Sequence, residues 1–230
     1  MKYSYLEWDS AFFGKKICRV DAELSDSLNA ICNLMKTKGM DLCYIFSNDK
    51  LIPFENEGAV LVDEKTIFSK EVSADSILDT RKVKSYKGGM TDQLRKLALL
   101  SGTYSRFRID SILSQKFNDL YTIWLVRSLK REIADDVLVF YEINEKAGFV
   151  SYKIIDDRCV IGLIAVDEKY QGLKIGTTLL RAVEERCLTT GIKRIDVATQ
   201  GLNKQACAFY EKAGYLVSKV ENIYHYTNKQ

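Results

Sequence analysis

The stretch from Ile161 to Gly176, Ile-Gly-Leu-Ile-Ala-Val-Asp-Glu-Lys-Tyr-Gln-Gly-Leu-Lys-Ile-Gly, reads as a strand that passes through a glycine-bearing turn straight into an amphipathic helix. Its apolar run ends at Asp167, and Gln171-Gly172 offers a turn with little side-chain bulk. Ile175, Leu179, Val183 and Cys187 then recur at helical spacing. The first N–H groups of a helix have no internal acceptor and carry the positive end of its dipole. Residues Gly172 to Thr177 are therefore expected to hold an anion on backbone donors.

Further along, Ile192 to Thr199 reads as a second strand, and Asn203 opens a short helix, Asn-Lys-Gln-Ala-Cys-Ala-Phe-Tyr-Glu-Lys-Ala, that Gly214 ends. Asn is a favoured N-cap, and Gly a favoured residue just past a helix C-terminus. Strand, anion-binding turn, helix, strand, Asn-capped helix and strand, in that order, resemble the GCN5-related N-acetyltransferase (GNAT) superfamily. The resemblance implies an α/β fold of the α+β type, with a mixed, mostly antiparallel central sheet flanked by helices.

The resemblance also implies acetyl-CoA as co-substrate. Gln171, Gly172, Leu173, Lys174, Ile175, Gly176 and Thr177 would hold its pyrophosphate, and the backbone of Ile164, Ala165 and Val166 would orient the coenzyme. Asn203 would reach the pantetheine arm. Tyr210 would stand near the thioester as the acid that protonates the leaving sulfur, since a phenol is protonated at neutral pH. One departure stands out: Lys174 occupies the place of a glycine in the usual Arg/Gln-x-x-Gly-x-Gly/Ala turn, which crowds the backbone approach to a phosphate while bringing an ammonium beside it.

The composition narrows the chemistry. The 230 residues suffice for one good core, or a core plus a smaller lobe, and 47% hydrophobic with 28% charged residues is ordinary for a globular protein. No run of about twenty apolar residues is present, nor an apolar signal core after Met1, so a cytoplasmic protein without a membrane partner is expected. The six cysteines form no C-x-x-C pair and lie largely in apolar runs, which reads as reduced packing residues. A net charge of +3 among 34 basic and 31 acidic residues does not argue for nucleic acid. The single histidine, His225, sits in a strand pattern, which disfavours Ser-His or Cys-His nucleophiles and a His-rich metal site. No metal is expected.

Strand patterns at Lys15 to Val20, Asp41 to Phe46 and Ala59 to Val72, with a helix around Ser27 to Lys38, make residues 1–85 a smaller N-terminal α/β lobe. Pro53 and Glu55 to Gly58 mark a turn within it. Helices follow from Met90 and over Ser114 to Leu129, then two strands, Asp135 to Tyr141 and Phe149 to Ile155, joined through 144–148. The domain change is placed between Asp79 and Met90, leaving 86–230 as the acetyltransferase domain.

Two further segments, Leu6-Glu-Trp-Asp-Ser-Ala-Phe-Phe-Gly14 and Tyr104-Ser-Arg-Phe-Arg-Ile-Asp110, are similar to signatures of the TDP-fucosamine acetyltransferase family. That resemblance implies transfer of acetyl to the 4-amino group of a TDP-linked 4-amino-4,6-dideoxy-sugar in bacterial surface-polysaccharide synthesis. Arg106 and Arg108 suit a nucleotide diphosphate, because a guanidinium fork binds phosphate oxygens in pairs, and Phe107 could pack against a base or sugar face. Ligand contact and solvent exposure both stay open for the two arginines, and Trp8, Phe12 and Phe13 read better as lobe packing. Glu142 and Asp167 are candidate bases by position, with a water chain as the alternative. A peptide N-terminus, polyamine or small amine as acceptor and a catalytically silent CoA-binding module remain rival readings, and a homodimer remains open.

Overall fold

The strand patterns of the sequence meet in one sheet. The computed structural model describes residues 1–72 and 80–227, with strands β1 (Lys2–Tyr5), β2 (Ile17–Asp21), β3 (Leu42–Ser47), β4 (Val60–Glu71), β5 (Val83–Ser85), β6 (Asp136–Glu142), β7 (Glu145–Ile155), β8 (Arg158–Val166), β9 (Arg194–Gln200) and β10 (Leu216–Thr227). The helices are α1 (Glu7–Phe13), α2 (Leu28–Lys38), α3 (Ile52–Asn56), α4 (Asp92–Ser101), α5 (Arg106–Ile109), α6 (Phe117–Leu129), α7 (Ile175–Thr190) and α8 (Lys204–Lys212). Strand order is β1-β2-β3-β10-β4-β9-β8-β7-β6-β5, with only β2–β3 and β8–β9 parallel. The sheet is thus mixed and mostly antiparallel, as expected.

Strand β4 lies between β9 and β10, so the N-terminal segment and the C-terminal strands share a single sheet. Asp79, where the expected domain change begins, is outside the described residues. Three local expectations are corrected. Residues 52–56 form a short helix with Pro53 in its first turn, where the missing N–H costs nothing, and only Glu57 and Gly58 turn. The link between β6 and β7 is confined to Ile143 and Asn144, because β7 begins at Glu145. Residues 114–116 are a 3₁₀ turn that leads into α6, not its first turn.

Both faces of the sheet are covered. On one, Leu94 and Leu97 of α4, Phe107 of α5 and Leu120 and Leu125 of α6 pack on Tyr44, Phe46 and Phe149. On the other, Ile175, Leu179 and Val183 of α7 pack on Leu138, Val150 and Ile195, each such buried side chain contributing roughly 1.5–3 kcal/mol. Helices α2 and α3 cover β2, β3 and β10 through Ile31, Met35 and Phe54. Among the described residues no helix is long and apolar enough to cross a membrane.

Candidate active site

An extra residue in β8 opens the sheet. Opposite β7, Ser151 pairs with Leu163 and Tyr152 with Ile161, which leaves Gly162 as a bulge, and the Ser151 hydroxyl accepts the Leu163 N–H at 2.9 Å. A Cβ on residue 162 would stand 3.2 Å from that same hydroxyl oxygen, so the tight fit favours glycine. The bulge reverses which face the side chains take: Cys159 and Ile161 join the core under α7, whereas Leu163 and Ala165 join the core under α4 and α6. Pairing of β8 with β9 stops at the same place, at Ile161 and Val197, although the strands run on to Val166 and Gln200. The two central strands therefore diverge, and the β9-facing backbone of residues 162–166 has no strand partner.

The turn after β8 leads to a 16-residue helix, α7, which like α6 has no side-chain cap at its start. Helices α2, α4 and α8 are capped by the side chains of Ser27, Thr91 and Asn203, but α7 has no side-chain cap. No acceptor among the described residues takes the N–H groups of 172–177. Six consecutive donors at the positive end of a 16-residue helix make an anion site by geometry and field together. Lys174 adopts φ +61°, the left-handed conformation that glycine takes without strain, so the backbone keeps the shape of the glycine turn with a lysine on it. Gly176 is tight for another reason: a Cβ there would lie 3.0 Å from the end of the Phe209 ring.

Helix α8 supplies the opposite wall. The Asn203 side-chain oxygen accepts the Ala206 N–H at 3.1 Å, which leaves its amide hydrogens to point elsewhere. Tyr210 is 3% exposed, between Phe68 and Phe209 at 5.5 and 5.2 Å, and its hydroxyl bonds to no described residue. Burial pushes its pKa up, so the phenol keeps its proton.

These parts converge on a cleft of about 1250 Å³ that passes through the divergence of β8 and β9. Tyr210 lines it, as do all the residues expected to touch the coenzyme except Leu173, which is 63% exposed. On the far side of the sheet the cleft is walled by Tyr104, Tyr121 and Trp124, which the sequence reading did not single out. Its charged lining is Lys153, Lys174, Lys212 and one carboxylate, Glu168.

Arg106, Phe107 and Arg108 do not line this cleft. Phe107 is packed in the core, stacked on Phe13 at 5.9 Å and edge-on to Trp124 at 5.6 Å. Arg106 lies over the rings of Tyr44 and Phe107, at 4.8 and 4.4 Å, with the carboxylates of Asp9 and Asp63 near enough to act on its charge. Arg108 is exposed, over Phe117. The positional candidates for a base are also off the cleft: Glu142 pairs with Lys82 and Asp167 with Lys96, each at 2.8 Å. The Lys96 hydrogen bond holds the Asp167 carboxyl below its usual range, which suits an ion pair and not a proton acceptor. Asp63 differs. Burial lifts its carboxyl to about 7 against the pull of Arg106 and Lys65.

The acetyltransferase (GNAT) family model matches residues 106–215. Two Bacillus subtilis (strain 168) proteins are similar in sequence. Spore coat polysaccharide biosynthesis protein SpsD is 28% identical over 138 residues, 60% of this chain and 47% of that protein. A protein provisionally named a ribosomal protein bS18-alanine N-acetyltransferase is 25% identical over 124 residues, 52% of this chain and 82% of that one. The chain spans about half the length of the first curated relatives it matches. A GCN5-related N-acetyltransferase structure from Sphaerobacter thermophilus shares the fold, with TM-score 0.57 at 10% identity over 99% of this chain and 76% of that one.

Proposed function

Because residues 106–215 belong to the acetyltransferase (GNAT) family, we propose that the protein is an acetyl-CoA-dependent N-acetyltransferase whose acceptor is a nucleotide-linked amino sugar. The observation that carries the reaction is the joining of three things in one cleft: the six free N–H groups of 172–177, the diverging strands β8 and β9, and the unbonded hydroxyl of Tyr210. The turn holds the coenzyme's pyrophosphate, Lys174 adds an ammonium beside it, and the thioester reaches the opening between the strands. The acceptor comes from the side of Tyr121 and Trp124.

In the reaction the neutral amine attacks the thioester carbonyl carbon. A C–N bond forms, the C–S bond breaks, the amine gives its proton to solvent water in the cleft, and the leaving sulfur takes one from Tyr210, which solvent then reprotonates. Direct transfer of this kind needs no protein nucleophile, in keeping with a cleft that presents no histidine or cysteine.

The amino-sugar acceptor is supported by the sequence signatures at 6–14 and 104–110, by the name of the SpsD relative, and by the charge of the cleft. With Lys174 given to the coenzyme, Lys153 and Lys212 against the one carboxylate, Glu168, suit an anionic acceptor and disfavour a polyamine. A peptide N-terminus is the second reading, favoured by the name of the alanine N-acetyltransferase relative. Thiol release from acetyl-CoA decides between them, tested with TDP-4-amino-4,6-dideoxygalactose, spermidine and an alanine-ended peptide. The sugar nucleotide is expected to give the highest kcat/KM. Turnover on the peptide alone would move the acceptor to the second reading, and no thiol release with any amine would leave a coenzyme-binding module.

A further inference from the structure

Past the opening of β8 and β9 the cleft runs on over the sheet face that α4 and α6 cover, and a basic side chain stands in its floor. Lys153 of β7 lies between Tyr152 and Ile154, which pack in the core under α7, so its own side chain shares the opposite face with Phe149 and Ser151. It lines the cleft together with Trp124 and Ser128 of α6. Among the described residues its ammonium has no ion-pair or hydrogen-bond partner. The carboxylates nearest in register are engaged elsewhere. Asp196, across Val160 from Lys153, is held by Arg194 at 2.8 Å, Ser69 at 2.6 Å and Arg158 at 3.5 Å. Asp135 accepts the Ile154 N–H at 2.7 Å.

Aromatic side chains wall the same stretch. Trp124 is held edge-on by Phe107 at 5.6 Å and by Tyr121 at 4.9 Å yet stays only half-buried, and Tyr104 is 44% exposed. Rings pinned in this way offer apolar area to a sugar or a base with little ordering left to do. The spacing adds a third constraint. Pairing of β8 with β9 stops at Ile161 and Val197, beside Ser151 and the bulge at Gly162, and Lys153 lies one side-chain repeat, roughly 7 Å, further along β7. That step is comparable to the span of one pyranose ring from an amine at C4 to the oxygen at C1. Room is sufficient, since about 1250 Å³ exceeds the roughly 300–1000 Å³ of a pocket for one small ligand.

Resting on the acetyltransferase reading, we infer that Lys153 binds the diphosphate of the sugar-nucleotide acceptor, with Trp124 and Tyr104 packing against its rings. The amine then points into the strand opening, and the coenzyme's own pyrophosphate stays on the free N–H groups of 172–177. Lys212, the other cleft lysine left for an acceptor, belongs to α8, whose Tyr210 packs in the core under α7, so Lys153 is the one on the acceptor's side of the sheet.

Lys153→Met tests it, because it keeps the stem of the side chain and removes the charge. With TDP-4-amino-4,6-dideoxygalactose as the varied substrate, the acceptor KM is expected to rise about tenfold or more, the loss of one charge-assisted hydrogen bond. The acetyl-CoA KM and thermal unfolding should stay at wild type, and Lys153→Arg, which keeps the charge, should recover most of the loss. TDP titrated calorimetrically into protein saturated with coenzyme A, which occupies the turn, should show the same weakening in Lys153→Met. Inorganic phosphate should bind far more weakly than TDP, since it cannot reach the aromatic rings. With wild type active on the sugar, an unchanged acceptor KM in Lys153→Met, an acetyl-CoA KM that rises with it, or phosphate binding as tight as TDP would overturn the subsite alone. Wild type that acetylates only the peptide or spermidine, or no amine, would overturn the acceptor reading first and the subsite with it.

Discussion

Asp63 is the residue whose replacement has the most calculable consequence. Its carboxyl is raised from 3.8 to about 7, mainly by burial, with Arg106 and Lys65 pulling down and Glu64 pushing up. A folded-state pKa above the unfolded one means that the native state holds the proton more tightly. The stabilisation is fully present below about pH 4 and is lost as pH rises through 7. Three units at about 1.4 kcal/mol each put the loss on the order of 4 kcal/mol between pH 4 and 8. Asp63→Asn resembles the protonated form and does not titrate, so its stability relative to wild type should climb by about that amount over the same range. Urea unfolding of both proteins at four or five pH values reads the difference directly. A stability difference that stays constant from pH 4 to 8 would refute the burial of an ionisable Asp63 beside Arg106.

Lys174→Gly should relieve a left-handed backbone and raise stability by about 1 kcal/mol in thermal or urea unfolding, while acetyl-CoA binding by calorimetry weakens through loss of the ammonium. Opposite signs in the two measurements are the expected signature. Gly176→Val drives a side chain into Phe209 at the cleft and should cost about 1–3 kcal/mol of stability as well as most of the coenzyme affinity; full affinity in the calorimeter would remove the turn from the site. Asn203→Asp keeps an oxygen to cap Ala206 and removes the amide donors, so unfolding should stay near wild type while the acetyl-CoA KM rises. A stability loss of about 1 kcal/mol with unchanged KM would make Asn203 a cap only.

The parts of the site that could be read along the chain are those built from consecutive residues. The strand ending at Val166, the uncapped start of α7 and the Asn203 cap of α8 each depend on local backbone preference, and each lies where its pattern places it. Gly162 was visible as a lone glycine in an apolar strand, which is a bulge signal, yet its effect on the faces of β8 emerges only with β7 alongside. The insertion of β4 between β9 and β10 is non-local, and no spacing in the sequence encodes it. For the same reason the buried polar cluster around Arg106 was hidden. Tyr44, Asp63, Arg106 and His225 come from four segments far apart in the chain, and an aspartate after Val60-Leu61-Val62 was its single local hint. Arg106 and Arg108 looked equivalent by sequence, but α5 turns one onto Tyr44 and the other outward.

The central claim is acetyl transfer at the strand opening with Tyr210 as proton donor, and single-turnover acetyl transfer by Tyr210→Phe tests it most directly. The substitution keeps the ring between Phe68 and Phe209 and removes only the hydroxyl of a residue that lines the cleft. The rate of the chemical step should fall on the order of 10²-fold or more, with acetyl-CoA affinity and thermal stability close to wild type. A Phe variant that transfers acetyl at the wild-type rate when chemistry is limiting would contradict it, and would leave Tyr210 as a packing residue and solvent as the source of the proton.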